Sequence, residues 1–132
     1  MSDSSTAIVQ QMYAAFGRGD VPGLLAHVAD DVEWTVIGPE GASPFFGTWR
    51  GRDGVGRFFQ TVGAHLEFDR FEAGELIAGG DKVIVLGLDH ARNKANGKRY
   101  QSDFVHVFTL RGGKVVAFRE FLDTAAVAAA FG

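Results

Sequence analysis

Cysteine is absent from the 132 residues, which excludes disulfides, thiolate nucleophiles and cysteine-based zinc sites. Basic runs are missing too. The net charge is -3, so there is no electrostatic footprint for nucleic acid. Long apolar runs are lacking: Val83 to Leu88 and Ala125 to Phe131 are the longest, and both are far too short to cross a bilayer. The start of the chain, Met1-Ser2-Asp3-Ser4-Ser5, has neither a basic region nor an apolar stretch of the secretory kind. The expectation is a soluble, cytoplasmic protein with no membrane and no nucleic-acid partner. No two histidines have ligand spacing and no acidic cluster suits calcium, so no metal or other cofactor is expected. Ser43 and the other serines have no base near them in sequence, which leaves a nucleophilic triad without support.

What is present is a single domain of ordinary size, 1–132, with apolar residues at 46% and charged residues at 22%. Twelve phenylalanines exceed what a core of this size requires, so some aromatic faces are free to line a pocket or an interface.

Periodicity orders the elements. From Ser4 or Ser5, Ile8, Met12, Ala15 and Phe16 recur at helical spacing beside Val9 and Tyr13, and Gly17 and Gly19 end that helix. Asp20 reads as the N-cap of a short second helix with Pro22 in its first turn, running to about Val28. Asp30-Asp31 then turns the chain into a strand, Val32 to Ile37, whose Val32, Trp34 and Val36 share a face. Gly38 to Gly51 reads as a loop, and Asp53 as the cap of a third helix to about Gly63 with a Val55, Phe58, Phe59 and Val62 stripe. Gly51-x-x-Gly54 has no strand before it on this reading and is turn chemistry, not a phosphate site.

Four strands follow: Leu66 to Ile77, Lys82 to Arg92, Arg99 to Leu110 and Lys114 to Leu122. Glycine- and asparagine-rich turns separate them. Asp123 and Thr124 can cap a closing helix, Ala125 to Phe131. Helices followed by an antiparallel meander make an α+β fold. Val83 to Leu88 and Phe104 to Phe108 are apolar on both faces, so a homodimer through the outer face of the sheet is expected.

Several of these segments resemble a known family. Tyr13 with Gly19-Asp20, the run Ala29-Asp30-Asp31-Val32-Glu33-Trp34, and Gly47 to Phe59 are similar to SnoaL-like proteins. More specific are Phe104-Val105-His106-Val107, Gly113-Lys114-Val115-Val116 and Phe121-Leu122-Asp123-Thr124. The resemblance spans nearly the whole chain. It implies the wider ketosteroid-isomerase and nuclear-transport-factor-2-like fold, a cone-shaped, strongly curved sheet closed by three helices around an apolar cavity. In the polyketide cyclases of the group a histidine and an acid on the last two strands face the ligand, and His106 and Glu120 match those positions. The carboxylates of limonene-epoxide hydrolases match Asp89 and Glu120, but their arginine is replaced by Gly87. The isomerases' basic aspartate is replaced by Val36, and His106 takes the place of their oxyanion-hole aspartate.

On their own terms, His106 and Glu120 lie an even number of residues apart around the turn Arg111-Gly112-Gly113. A three-residue loop pairs Leu110 with Lys114 and Phe104 with Glu120, which sets the imidazole and the carboxylate diagonally on one face. A two-residue loop would put Arg119 and Phe121 there instead. With the first register the expected catalytic set is Glu120 as general acid/base, His106 to orient it or polarise a carbonyl, and Asp89 as auxiliary carboxylate. Tyr13, Phe16, Trp34, Val36, Phe59, Phe104 and Phe118 are the expected walls for a small apolar molecule. Plainer readings exist for the same residues. His106 can be a core histidine, Glu120 can pair with Arg92 at an edge, Asp89 can be solvated near a turn, and the aromatics can be ordinary core.

The function expected is a small cofactor-independent acid–base enzyme for an apolar, ring-sized carbonyl compound. The alternatives are a non-catalytic ligand-binding or dimerisation domain and, third, water addition to an epoxide, which requires an inward cation.

Overall fold

A computed structural model describes residues 2–132. The chain runs α1 (Ser2–Gly17), α2 (Val21–Leu25), β1 (Val28–Val36), β2 (Gly47–Arg50), α3 (Gly51–His65), β3 (Leu66–Gly79), β4 (Lys82–Asn93), β5 (Arg99–Arg111), β6 (Lys114–Leu122) and α4 (Thr124–Phe131). The six strands form one open mixed sheet in the order β2-β1-β6-β5-β4-β3, in which only the β1–β6 pair is parallel. This is the α+β architecture expected.

Alternation decides which face is covered. Val32, Trp34 and Val36 on β1, Val83, Val85, Asp89 and Ala91 on β4, and Tyr100, Phe104, His106, Phe108 and Leu110 on β5 are all buried. Helices α1 and α3 pack over this face, α1 through Val9, Met12 and Ala15 and α3 through Val55 and Phe58. Register shifts in β3, between Phe68 and Arg70 and between Ala73 and Leu76, bend the long β3–β4 ribbon round the helices. Asp20 caps α2 by accepting from the Gly23 N–H at 2.9 Å, and Asp123 caps α4 by accepting from the Ala126 N–H at 3.0 Å, both as the sequence predicts.

Several boundaries differ from expectation. Helix α2 stops at Leu25 and β1 begins at Val28, so Asp30 and Asp31 lie inside a strand whose pairing with β6 slips between Val28 and Glu33. Part of the expected Gly38–Gly51 loop is the edge strand β2, held by main-chain pairing to β1 and by the Arg50–Glu33 ion pair. That strand runs straight into α3, whose N-cap is Arg50; Asp53 sits in the first turn and caps nothing. Four residues with no alternating burial gave too weak a period for β2 to be seen in the sequence.

The hairpin that fixes the site also differs. Arg111 pairs with Lys114, so the turn has two residues, Gly112 and Gly113, with φ of 59° and 80°. Positive φ at both central positions is the geometry of the tight hairpin turn whose twist matches the strands. Leu110 then pairs with Val115 but Thr109 pairs with Ala117, so Val116 is bulged out. The bulge adds one residue to β6 and returns Phe118 and Glu120 to the inner face. His106 therefore stands directly opposite Glu120, not diagonally.

Candidate active site

A cavity of about 780 Å³, its open mouth included, lies between the sheet and the helices. Its wall is almost entirely aromatic and aliphatic: Phe16 from α1, Trp34 and Val36 from β1, Phe45 and Phe46 from the segment before β2, Phe59 from α3, and Phe118 from β6 all line it. Four polar side chains on the strands, Asp89, Tyr100, His106 and Glu120, complete the lining with Tyr13 of α1. No lysine or arginine is among the lining residues, so no cation stands between Asp89 and Glu120 as the epoxide-hydrolase device requires. No group of three or more histidine, aspartate or glutamate side chains able to hold a metal ion occurs among the described residues.

The centre of the site is a chain of three side chains. The Glu120 Oε2 lies 2.7 Å from His106 Nε2, and the Tyr13 hydroxyl lies 2.5 Å from His106 Nδ1. A carboxylate can only accept, so Nε2 carries the imidazole proton; in the neutral ring Nδ1 then accepts from the Tyr13 O–H. Both nitrogens are satisfied, and one tautomer is selected. Phe104 stacks on the imidazole at 4.0 Å between ring centres, with Phe118 and Phe108 edge-on, so the ring is held from several sides. The second oxygen of Glu120, Oε1, accepts no hydrogen bond from the described residues and is left to the cavity.

Asp89 is the unusual member. It is 5% exposed, and its Oδ1 is buried with no hydrogen-bond partner among the described residues. Burial, with a smaller contribution from the Glu120 charge, pushes its pKa up to about 7. Burial chiefly, together with the Asp89 and Glu120 charges, also raises the Tyr100 phenol, and burial with Glu120 raises that of Tyr13. The site thus holds two carboxyl groups in different surroundings: one hydrogen-bonded by an imidazole, one bare in an apolar wall.

Most of the residues expected from sequence converge here. Glu120, His106, Asp89, Tyr13, Phe16, Trp34, Val36, Phe59 and Phe118 all line the cavity. Phe104 does not: it lies behind the imidazole, stacked between His106 and Phe71, because its ring is drawn over Gly87. Asp89 is buried, not solvated, and Arg92 pairs with Glu67 instead of Glu120. His65 is half-buried against Phe45 and Phe131. Tyr100 escaped the sequence reading although it shares the alternation of Phe104, His106 and Phe108; parity along β5 would have found it. Phe45 and Phe46 sit in irregular chain and carry no period at all.

The match of sequence to family follows this geometry. The chain belongs to the family of SnoaL-like domains, whose sequence pattern it matches over residues 9–118. Among solved structures, an NTF2-like protein from Burkholderia xenovorans LB400 is 35% identical, covers 100% of this chain and 98% of its own, and superposes with a TM-score of 0.91. Another, from Burkholderia pseudomallei K96243, is 36% identical over 96% of both chains with a TM-score of 0.85. TerC, crystallised with polyporic acid, is 30% identical over 96% of this chain and 97% of its own, with a TM-score of 0.85. No curated protein matches the chain in sequence.

Proposed function

We propose that this protein is a cofactor-independent acid–base enzyme acting on an apolar, ring-sized carbonyl compound, in a reaction of the isomerase or cyclase type. The observation that carries this reading is the Glu120 carboxylate, hydrogen-bonded to His106 on one oxygen and free on the other, inside an aromatic cavity. A base so placed can take a proton from carbon and return it elsewhere, and positioned acid–base groups of this kind contribute roughly 10²–10⁴-fold in rate. His106 orients the base and Asp89 offers a second carboxyl that holds its proton far more tightly than an ordinary aspartate. The presence of polyporic acid with TerC supports a small organic ligand for this kind of chain.

Replacement of Glu120 by Gln tests the reading. Turnover is lost while binding persists, read by quenching of Trp34, which lines the cavity. Undiminished turnover removes the carboxylate from the mechanism and leaves the cavity a binding site. The same reading includes a homodimer through the outer sheet face, where Leu86 and Phe121 are each 38% exposed and Ile77 44%. Leu86→Lys then yields monomers in sedimentation, and an unchanged sedimentation coefficient ends that part.

A further inference from the structure

The turn between β4 and β5, residues 93–98, holds the ends of two helices that wall the cavity. Lys94 donates from its backbone N–H to the His65 carbonyl at 2.9 Å and from Nζ to that of Gly63 at 2.7 Å, both in the last turn of α3. Asn93 and Asn96 each donate from Nδ2 to the Ala130 carbonyl of α4 at 3.0 Å. The Lys98 ammonium reaches the Gly132 carbonyl at 3.1 Å. The last carbonyls of a helix have no partner within it, so one turn supplies what two helix ends lack. The cavity depends on both ends. Helix α3 gives it Phe58, Phe59 and Val62, α4 gives it Val127, and Phe131 of α4 packs edge-on against Phe45 at 5.3 Å.

Asn93 and Asn96 are the two asparagines of the chain, and only Asn96 precedes a glycine. Gly97 has a φ of 75° and no side chain to shield its nitrogen, and both residues are exposed to water. We propose that Asn96 is a site of spontaneous deamidation, and that the carboxylate formed there loosens α4 from the cavity wall. The site stands apart from the acid–base groups of the cavity and acts whatever reaction they perform.

Water is the one co-reactant. The Gly97 nitrogen, as it gives up its proton, attacks Asn96 Cγ: its electron pair makes the new C–N bond, the Cγ–Nδ2 bond breaks, and ammonia leaves with the proton. Water then opens the five-membered ring at one of its two carbonyls, which leaves aspartate or its β-linked isomer. Two hydrogen bonds slow this in the fold. The Gly97 N–H donates to the Asn93 carbonyl at 2.8 Å, and the Lys98 N–H donates to Asn96 Oδ1 at 2.9 Å. The bond to α4 is a weaker restraint, because the Ala130 carbonyl keeps Asn93 as its donor when Asn96 swings away. An exposed turn opens locally far more easily than the whole chain unfolds, so the reaction proceeds from the folded protein. The product cannot return to its place. A carboxylate has no N–H for Ala130, lies at the negative end of α4, and competes for the Lys98 ammonium held by Gly132.

The test has two arms. The folded wild type is incubated in mildly alkaline buffer beside a urea-unfolded sample, and peptide mass mapping reads amide-to-acid conversion at Asn96. Conversion in the folded sample is the expected result. None, over a period in which the unfolded chain converts fully, overturns the site. The second arm follows amide hydrogen exchange of α4 in the wild type, Asn96→Asp and Asn96→Ala. Exchange is predicted to be roughly fivefold faster in Asn96→Asp and to change less than about twofold in Asn96→Ala, where Asn93 still serves Ala130. Equal exchange in Asn96→Asp and the wild type overturns the loosening of α4, and equal acceleration in both variants overturns its assignment to the carboxylate.

Discussion

His106 and Glu120 face one another directly across the β5–β6 ladder, and their side chains meet at 2.7 Å. That closeness depends on the bulge at Val116, since with Val116 paired to Thr109 in an unbroken ladder Arg119 would occupy the place of Glu120. Deleting Val116 leaves Thr109 opposite Ala117 and His106 opposite Glu120, so turnover is predicted to survive, whereas inserting one residue after Ala117 turns the rest of the final strand over. The expected outcome of the insertion is loss of turnover with loss of several kcal/mol of stability, because a guanidinium would have to enter an apolar wall. Denaturant unfolding combined with activity checks this.

Replacing His106 by Phe keeps the ring volume and removes both hydrogen bonds. Glu120 is then a poorly solvated carboxylate without a donor, and the stability loss expected is about 3 kcal/mol. The midpoint of urea unfolding measures it. Equal midpoints for variant and wild type would mean that water replaces the imidazole without cost.

Tyr13→Phe removes the O–H that Nδ1 accepts at 2.5 Å. A buried acceptor left bare costs about 1–3 kcal/mol. Its more diagnostic consequence is at the ring itself: Glu120 still keeps the proton on Nε2, and Nδ1 becomes an acceptor without a donor. Nitrogen chemical shifts of His106 report this, with turnover falling in parallel.

The pH dependence of stability follows from Asp89. Its carboxyl ionises at the ordinary 3.8 when unfolded and at about 7 in the fold, chiefly because burial penalises the charge. Between those values the folded state keeps a proton that the unfolded state has released, so stability falls as pH rises through the window and levels off above it. The gap corresponds to on the order of 4 kcal/mol. Asp89→Asn removes the titration: the variant matches the wild type near pH 3.5 and gains on it progressively to pH 8. Parallel stability curves would contradict the burial of this group.

At Gly87 a methyl group would lie 2.3 Å from the Phe104 ring and 2.4 Å from the Glu72 carbonyl oxygen. Backbone cannot yield as a side-chain tip can. Gly87→Ala is predicted to cost about 2–3 kcal/mol and to disturb Phe104, which backs the imidazole. Thermal unfolding and the His106 ring signals check both effects.

Much of this arrangement was legible in the chain because burial follows period. Alternation places Val32, Trp34 and Val36 on one face, and a titratable group among Phe104, Val105, Val107 and Phe108 marks His106 in the sequence alone. The acid at Glu120 was found, but its partner was placed wrongly. Turn length and bulge are separate local events whose effects on parity cancelled, and neither Gly112-Gly113 nor Val116 shows in sequence which combination holds. Asp89 looked solvated because distance along the chain from a turn says nothing of the helix that covers it. The edge strand β2 and the wall residues Phe45 and Phe46 are fixed by tertiary contact alone, so no periodic signal announced them.

The central claim is that Glu120 moves a proton on carbon within the aromatic cavity. Its most direct measurement is the rate of α-hydrogen exchange of a saturating cyclic ketone in D₂O, taken side by side for the wild type and Glu120→Gln. The account predicts a fall of roughly 10³-fold with ligand affinity retained. Equal exchange rates in the two proteins would contradict it.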